Sequence, residues 1–333
     1  MAAEFAILAP NWLGDAVMAL PAMADVRRAS PGASIAVAAR PAVLPLFGLV
    51  RDVDEAIPIG DLSRRKFDVA ILLPNSFHAA FVAYRAGIPE RWGYRTDWRA
   101  PLLTRAVPAP RGLHQVDYYR RLTTALGFEP GELAPHLDLA PDARAAGAAL
   151  LATLGWNGRT PLVALAPGAA YGAAKRWPPS YFAELADALA RDGVVSVMVG
   201  SSADAATGRE VEAASKAPGA ILNAIGRTDL PTLAGVLVHA RTLVTNDSGA
   251  MHIAAALDVP VTAIFGPTRE AETAPRLRPQ GIDRGFGAAA GSHQILVHPV
   301  WCRPCMLRTC PLDHACMRGV APRAVLEAAR RTL

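Results

Sequence analysis

Three short polar motifs in this 333-residue chain carry side chains suited to proton transfer and anion binding. The first, PNWLGD, ends in Asp15, a carboxylate able to take a proton from a hydroxyl group. The second, PGAAYGAAKRWP, combines small residues with the adjacent cations Lys175 and Arg176, which suits a diphosphate. The third, NDSG at residues 246–249, opens an Ala-rich helix whose amino terminus would attract a phosphate.

Each motif also has an interpretation that needs no ligand. Asp15 would stabilise the first turn of a helix without acting as a base, and Asp247 or Ser248 would serve as an ordinary helix cap. The PGAAYGAAKRWP segment could be a solvated basic loop. His252, one turn into the Ala-rich helix, could face the same site or simply pack in the protein. Taken singly, the motifs leave both interpretations open.

The motifs lie between apolar strands and amphipathic helices that alternate along the chain. Short, continuous apolar strands separated by helices predict parallel sheets covered on both faces. The predicted strands cover residues 4–9, 34–38, 55–59, 68–73, 91–94, 162–166, 194–199, 220–225, 243–245 and 261–265. We therefore expect two doubly wound α/β domains, residues 1–157 and 158–333, which face each other across a central cleft.

Composition excludes several classes of protein. No apolar run approaches the roughly 20 residues that a membrane helix needs, and Glu4 stands where a signal peptide needs basic residues. We therefore expect a cytoplasmic protein. No G-x-G-x-x-G follows the first strand of either half, and no G-x-x-x-x-G-K-[ST] occurs, which disfavours a dehydrogenase or a P-loop enzyme.

The formal net charge of +5 is concentrated in part between residues 85 and 121, which contain eight arginines interleaved with aromatic residues. Such a span could clamp the phosphates of a saccharide or a lipid, or stack on nucleic acid bases. A non-catalytic RNA-binding protein is therefore an alternative, and it predicts binding that weakens steeply with salt.

All four cysteines, Cys302, Cys305, Cys310 and Cys316, fall within one short segment near the C-terminus, which excludes a dispersed disulfide framework. Together with His314 they provide enough ligands for a tetrahedral zinc ion, and free thiols in a packed loop are the alternative. A D-x-D pattern at residues 52–54 lies far in sequence from the basic loop, so we assign it no metal.

Five stretches, collinear over nearly the whole chain, resemble the ADP-heptose:lipopolysaccharide heptosyltransferases of glycosyltransferase family nine. They are PNWLGDAVMALPA (10–22), LLPNSFHAAFVAYRAGIPERWGY (72–94), PGAAYGAAKRWP (167–178), VTNDSGAMHIAAAL (244–257) and VWCRPCMLRTCPLDHACM (300–317). The resemblance implies a GT-B fold of two Rossmann-like domains, the first for the acceptor and the second for the nucleotide sugar. In this fold the last helix often packs back on the first domain.

The resemblance also implies an activity, which is the inverting transfer of L-glycero-D-manno-heptose from ADP-heptose to the first heptose of the lipopolysaccharide inner core. Its alternatives are a different core acceptor or a sugar-nucleotide epimerase. The implied partners are ADP-heptose and a heptosyl-Kdo-lipid A acceptor at the inner face of the inner membrane, without nucleic acid. A peripheral association with that membrane is compatible with this activity.

Matching motif positions give the implied site residues. Asp15 corresponds to the catalytic base and Lys175 to the cation at the donor diphosphate. The remaining donor-binding positions are Gly14, Gly168, Arg176, Asp247, Ser248, Gly249 and His252. The acceptor-binding positions are Asn75, Ser76, Arg95, Arg99 and Arg120. No cofactor and no metal are expected.

Overall fold

The computed structural model describes residues 3–276 and 293–333, and it divides into two compact units, Met1–Asp138 and Leu139–Leu333. The strands of the first unit are β1 (Glu4–Leu8), β2 (Ser34–Ala39), β3 (Glu55–Pro58), β4 (Val69–Leu72), β5 (Glu90–Tyr94) and β6 (Arg105–Val107). Its helices are α1 (Leu13–Met18), α2 (Leu20–Ala29), α3 (Phe77–Arg85) and α4 (Gln115–Ala125).

The second unit begins with a helix and then repeats the alternation. Its strands are β7 (Leu162–Ala166), β8 (Val195–Met198), β9 (Ile221–Asn223), β10 (Thr242–Asn246), β11 (Val261–Phe265) and β12 (Gln294–Val297). Its helices are α5 (Pro141–Thr153), α6 (Pro179–Arg191), α7 (Ala205–Ala214), α8 (Leu230–Leu237), α9 (Gly249–Ala256), α10 (Glu270–Thr273), α11 (Ala315–Arg318) and α12 (Pro322–Arg330). None of the described helices has the length and apolar composition that a membrane span requires.

Each unit contains a six-stranded sheet in which every strand pair is parallel. The strand orders are β3-β2-β1-β4-β5-β6 and β12-β11-β10-β7-β8-β9. Numbered within its own unit, each sheet has the order 3-2-1-4-5-6 of Rossmann-type folds. In this order the strands are added first on one side of strand 1 and then on the other, so the order reverses between strands 1 and 4. The crevices at the carboxyl ends of β1 and β4, and of β7 and β10, are therefore the places where each unit can bind a ligand.

The central strands are largely apolar and buried, as expected for a parallel sheet that helices cover on both faces. β7, β10 and β11 are buried along their entire length. The last helix, α12, often packs back on the first domain in proteins of the implied fold. It packs against α6 and strands β10 to β12 of its own unit, and Val325 and Ala329 join the core cluster there.

Apolar periodicity predicts one helix at about residues 16–29 and another at residues 42–49, and the structure differs at both. The first helix is two helices, because α1 ends at Met18 and a new helix begins at Leu20 with Pro21 in its first turn, where the missing N–H is tolerated. Residues 44–49 form a 3-10 helix. The short strands β6 and β12 were not predicted; they are only three and four residues long, so each offers little sequence pattern.

The boundary between the units also differs from the predicted one at residue 157. The helix α5 belongs to the second unit because it packs closely on α8 through two glycines. A Cβ atom added at Gly147 would lie 2.1 Å from the carbonyl carbon of Gly235, and one added at Gly235 would lie 2.0 Å from the carbonyl oxygen of Ala143. The division therefore falls at Asp138 and Leu139, in the Pro-rich stretch before α5.

We expect Gly147→Ala to destabilise the second unit by about 1–3 kcal/mol, because backbone atoms of α8 would have to move to admit the methyl group. The measurement is the urea midpoint of unfolding. Gly219→Ala is the matched control, since a Cβ there meets no atom within 4 Å. Equal midpoints for the two variants would show that α5 does not depend on this contact.

Candidate active site

The first unit has a cavity of about 200 Å³ at the carboxyl ends of β1 and β4, the switch point of its sheet. Three segments line it. The lining residues are Pro10, Asn11, Trp12 and Asp15 after β1, Leu73, Pro74, Asn75 and Ser76 after β4, and Gln115 and Tyr119 on α4. The structure thus brings together Asp15, Asn75 and Ser76, which the sequence predicted separately.

Asp15 lies in the first turn of α1. Tyr119 is close enough for the Asp15 carboxylate to act on its hydroxyl. Burial, and secondarily the carboxylate of Asp15, raises the pKa of the Tyr119 hydroxyl well above its ordinary value. Tyr119 therefore stays protonated beside Asp15, so the cavity combines a carboxylate acceptor with a neutral hydroxyl.

The Pro74–Ser76 wall of the cavity is held from behind by hydrogen bonds. The Tyr118 hydroxyl donates to Asn75 Oδ1 at 3.0 Å, and Thr96 Oγ1 donates to the Asn75 carbonyl at 2.8 Å. Arg99 donates to the carbonyls of Pro74 and Ser76 and, through Nε, to that of Tyr94 at 2.8 Å. These bonds fix the Asn75 amide at the edge of the cavity.

Two arginines predicted to bind the acceptor have internal partners instead. Arg99 is completely buried, and burial lowers the pKa of its guanidinium to about 10, which still leaves it protonated at pH 7. Arg120 donates to the buried carboxylate of Asp25 and to the Gly131 carbonyl. Both side chains therefore stabilise the unit, and we correct the expectation that they contact an acceptor. Arg95 is exposed at the end of β5.

The second unit places an ion pair at its own switch point, where β7 and β10 end. The ammonium group of Lys175 donates to Asp247 Oδ2, and the hydroxyl of Thr268 donates to the same oxygen at 2.7 Å. Lys175 Nζ also lies 4.7 Å from the centre of the Tyr171 ring. The basic loop at residues 167–178 and the turn after β10 thus meet at this ion pair.

The residue that joins these two segments is Asn246, which sequence reasoning did not select. It is fully buried, and its Nδ2 donates to the carbonyls of Pro167 at 2.9 Å and Gly168 at 3.2 Å. Its Oδ1 accepts from the backbone N–H of Trp177 at 3.0 Å. One amide therefore holds both ends of the basic loop against β10. In the sequence, the feature that could have identified Asn246 was its position directly before Asp247.

The turn that follows β10 leads directly into α9. Ser248 is its N-cap by backbone position, but its side chain does not cap the helix; Ser248 Oγ lies 3.0 Å from Thr245 Oγ1 instead. The helix starts at Gly249, so the positive end of its dipole lies beside the Lys175–Asp247 pair. His252 is nearly buried on α9.

The remaining predicted donor positions differ in their surroundings. Arg176 is half-buried, and its buried Nε has no hydrogen-bond partner among the described residues. Gly168 is required by packing, since a Cβ atom there would lie 2.2 Å from the carboxylate of Asp204. Gly14 lies in α1 of the first unit, next to Asp15.

The cysteine-rich segment packs on the loops of the second site. The Arg308 carbonyl accepts from the N–H of Ala174 at 3.0 Å, and the Tyr171 hydroxyl donates to the Met306 carbonyl at 2.7 Å. Arg303 donates to the carbonyls of Gly266 at 2.6 Å and Thr268 at 2.9 Å. This segment therefore supports both the basic loop and Thr268 from outside.

The four cysteines line one cavity of about 110 Å³ and are free thiols. Burial, and then the neighbouring thiols of Cys302, Cys310 and Cys305, raises the pKa of Cys316. Within residues 3–276 and 293–333, no three His, Cys, Asp or Glu side chains are arranged to hold a metal ion. In the D-x-D pattern, Asp54 accepts from the Ile35 N–H and pairs with Arg27, so it has a structural role.

Comparison with known proteins adds the family to this geometry. The model of glycosyltransferase family 9 (heptosyltransferase) matches residues 59–315. The chain belongs to glycosyltransferase family 9. The predicted family and the predicted pair of Rossmann-like domains are thereby confirmed, and membership of family 9 makes the protein a glycosyltransferase.

Several named members of family 9 are similar to the chain over most of its length. Lipopolysaccharide heptosyltransferase 2 of Salmonella typhimurium is 32% identical over 326 residues, covering 87% of this chain and 93% of the relative. Lipopolysaccharide heptosyltransferase 1 of Pseudomonas aeruginosa is 29% identical over 338 residues, covering 90% and 84%. The structure of the E. coli ADP-heptose LPS heptosyltransferase II superposes with a TM-score of 0.81 at 28% identity, covering 98% of this chain and 97% of that one.

For this family 9 chain we expect Arg99→Met to lower the free energy of unfolding by about 2 kcal/mol or more, because the carbonyls of Pro74, Ser76 and Tyr94 would lose their donor in a buried place. The urea midpoint is the measurement. Arg95→Met is the control, since it removes the same charge from an exposed position. If the two variants have the same urea midpoint, Arg99 does not hold the wall of the cavity.

Proposed function

We propose that the protein transfers L-glycero-D-manno-heptose from ADP-heptose to the first heptose of the lipopolysaccharide inner core, with inversion of configuration. The observation that carries this proposal is the chemistry at the two switch points. The first unit offers a carboxylate in an open cavity, and the second offers a lysine at a helix amino terminus. The names of the relatives, which include ADP-heptose and heptosyltransferase 2, supply the sugar and the nucleotide.

The second unit suits the diphosphate of the donor. Lys175 provides a compact positive charge, and the start of α9 provides backbone donors and the positive end of a dipole. The Tyr171 ring, which Lys175 contacts, also contacts a second cation. The Cζ of Arg308 lies 5.3 Å from the centre of that ring. These fixed charges would stabilise the negative charge that develops on the diphosphate as it leaves.

The first unit suits the acceptor. Asp15 would take the proton of the acceptor hydroxyl while that oxygen attacks the anomeric carbon of ADP-heptose. One bond forms between the acceptor oxygen and the anomeric carbon, and the bond from that carbon to the diphosphate oxygen breaks. The leaving group is ADP, the proton stays on Asp15, and attack opposite the ADP inverts the configuration. Asn75 and Ser76 on the cavity wall would orient the sugar.

We propose that the acceptor is heptosyl-Kdo-lipid A at the inner face of the inner membrane, and that the enzyme works in the cytoplasm in peripheral contact with that membrane. The acyl chains of such an acceptor remain in a bilayer, so a protein that acts on its sugars has to approach the bilayer surface. The chain is also similar to a heptosyltransferase 1, so an acceptor that lacks the first heptose is the second candidate.

The test is transfer from ADP-heptose to two defined acceptors, one with a single inner-core heptose and one without any. We expect product with the one-heptose acceptor, and we expect it to form at the same rate in EDTA, since fixed cations already stand at the diphosphate site. A preference for the acceptor without heptose would support the heptosyltransferase 1 alternative. Loss of transfer in EDTA would contradict the metal-free mechanism.

Two variants should separate the acceptor and donor roles. Asp15→Asn should lower kcat by about 100-fold or more while ADP affinity, measured by calorimetry, is unchanged. Lys175→Met should weaken ADP binding by about tenfold or more, because a charge-assisted bond to the diphosphate is lost.

Matched controls exist for both variants. Asp142→Asn removes a carboxylate from the first turn of α5, and Lys216→Met removes an exposed lysine of the second unit. Neither should change transfer or ADP binding. If Asp15→Asn weakens ADP binding as much as Lys175→Met does, Asp15 belongs to the donor site and the assignment of the base is wrong.

A further inference from the structure

The helix α3 has its small residues inside and its large apolar residues outside. Its buried residues are Ala79, Ala80 and Ala83, which pack on the alanine-rich face of the first sheet. Its aromatic residues Phe77, Phe81 and Tyr84 are 41–54% exposed. Surface helices normally place their large apolar side chains towards the core. The pattern on α3 therefore leaves an aromatic face towards solvent.

A fourth aromatic residue is fixed beside this face. Trp98 is 93% exposed, and the left-handed backbone of Asp97 (φ 49°) and Trp98 (φ 57°) forms the turn that presents it. Asp97 Oδ2 accepts from the N–H of Phe77 at 2.6 Å, which attaches this turn to the start of α3. Phe77 and Phe81 stack with ring centres 6.2 Å apart. We call Phe77, Phe81, Tyr84 and Trp98 the aromatic surface.

Positive charges surround the aromatic surface. The Arg85 guanidinium carbon lies 6.0 Å from the centre of the Phe81 ring, and that of Arg91 lies 5.5 Å from the centre of the Tyr84 ring. Arg95 is exposed at the end of the neighbouring strand β5. Between residues 76 and 98 the chain carries three arginines and two acidic residues, Glu90 and Asp97, and the carboxylate of Asp97 accepts from the N–H of Phe77. The aromatic surface is therefore suited to an anionic partner.

The aromatic surface is continuous with the cavity that contains Asp15. Ser76 lines that cavity and is also the N-cap of α3, where its hydroxyl accepts from the N–H of Ala79 at 3.3 Å. Asn75 precedes it on the same wall. A lipid-linked sugar bound in the cavity would thus have its lipid portion within a few residues of α3.

We propose that the aromatic surface docks the protein on an anionic phospholipid bilayer, at the depth of the headgroups. This inference rests on the proposed function, because it assigns a place to the membrane that carries the acceptor. Tyr84 and Trp98 have a polar group on an apolar ring, which is the chemistry that favours the boundary between lipid and water. Arg85 and Arg95 supply attraction to lipid phosphates.

The size of the surface favours a bilayer over a second protein chain. A nine-residue helix is about 14 Å long, and it presents three aromatic side chains. A stable protein interface buries about 800 Å² on each partner and involves 20 or more residues a side. The aromatic surface is too small for that, whereas shallow insertion of a few aromatic rings with basic neighbours suffices for reversible membrane binding.

The test is flotation of the full-length protein with vesicles of phosphatidylglycerol and phosphatidylethanolamine, compared with vesicles of phosphatidylcholine alone. We expect binding to the anionic vesicles, weakening as salt is raised. Trp98→Asn should reduce the bound fraction several-fold, and Phe81→Ser with Tyr84→Ser should reduce it further. Arg85→Glu should weaken binding by about fivefold or more.

Matched controls lie in the second unit. Trp301→Asn removes a tryptophan that is 89% exposed, and Arg323→Glu reverses the charge of an exposed arginine. Both should bind vesicles as the unchanged protein does. Failure of the unchanged protein to bind anionic vesicles would overturn the proposal, and so would equal binding by Trp98→Asn and Trp301→Asn.

Transfer assays separate this inference from the proposed function. With a one-heptose acceptor that lacks acyl chains, the aromatic-surface variants should keep full activity; with the acylated acceptor in anionic vesicles they should lose it. Loss of activity with both acceptors would mean that α3 binds sugar, which overturns the bilayer assignment.

A change in oligomeric state on gel filtration would identify a second copy of the chain as the occupant of the aromatic surface, which would also overturn the bilayer assignment. Vesicle binding without any transfer would reject the proposed function and leave the docking surface standing.

Discussion

The switch point of the second unit depends on one buried amide. Asn246 ends β10 and bonds to the carbonyls of Pro167 and Gly168 and to the N–H of Trp177, so a single side chain sets the shape of a loop at both of its ends. Each such bond contributes about 1 kcal/mol, and a buried group left unbonded costs about 1–3 kcal/mol. Because the loop carries Lys175, the geometry of that cation follows from an amide that need not touch any ligand.

The same loop is supported on its outer side by the C-terminal segment. Trp177 Nε1 donates to the Val320 carbonyl at 2.8 Å, and Gly172 fits only because it has no side chain, since a Cβ would lie 2.3 Å from the Arg308 carbonyl oxygen. The cysteine-rich segment is therefore part of the scaffold that holds Lys175. Its thiols face a small cavity of their own beside that loop.

Much of this organisation could be predicted from the sequence, and the failures have physical causes. Asp15 and Asn75 follow apolar strands, and parallel strands bring such positions to one edge of a sheet. The pairing of β1 with β4 is a long-range contact that no local pattern encodes. Arg99 was predicted to bind the acceptor; its burial depends on three carbonyl acceptors that only the fold assembles.

The contact between α5 and α8 has a practical consequence for recombining family 9 enzymes. Two helices that meet backbone to backbone through Gly147 and Gly235 have to come from the same parent, since neither can admit a side chain from a different partner. A hybrid joined near residue 157 would separate these helices. A junction at Leu139, before Pro141 starts α5, would transfer the second unit with its packing intact.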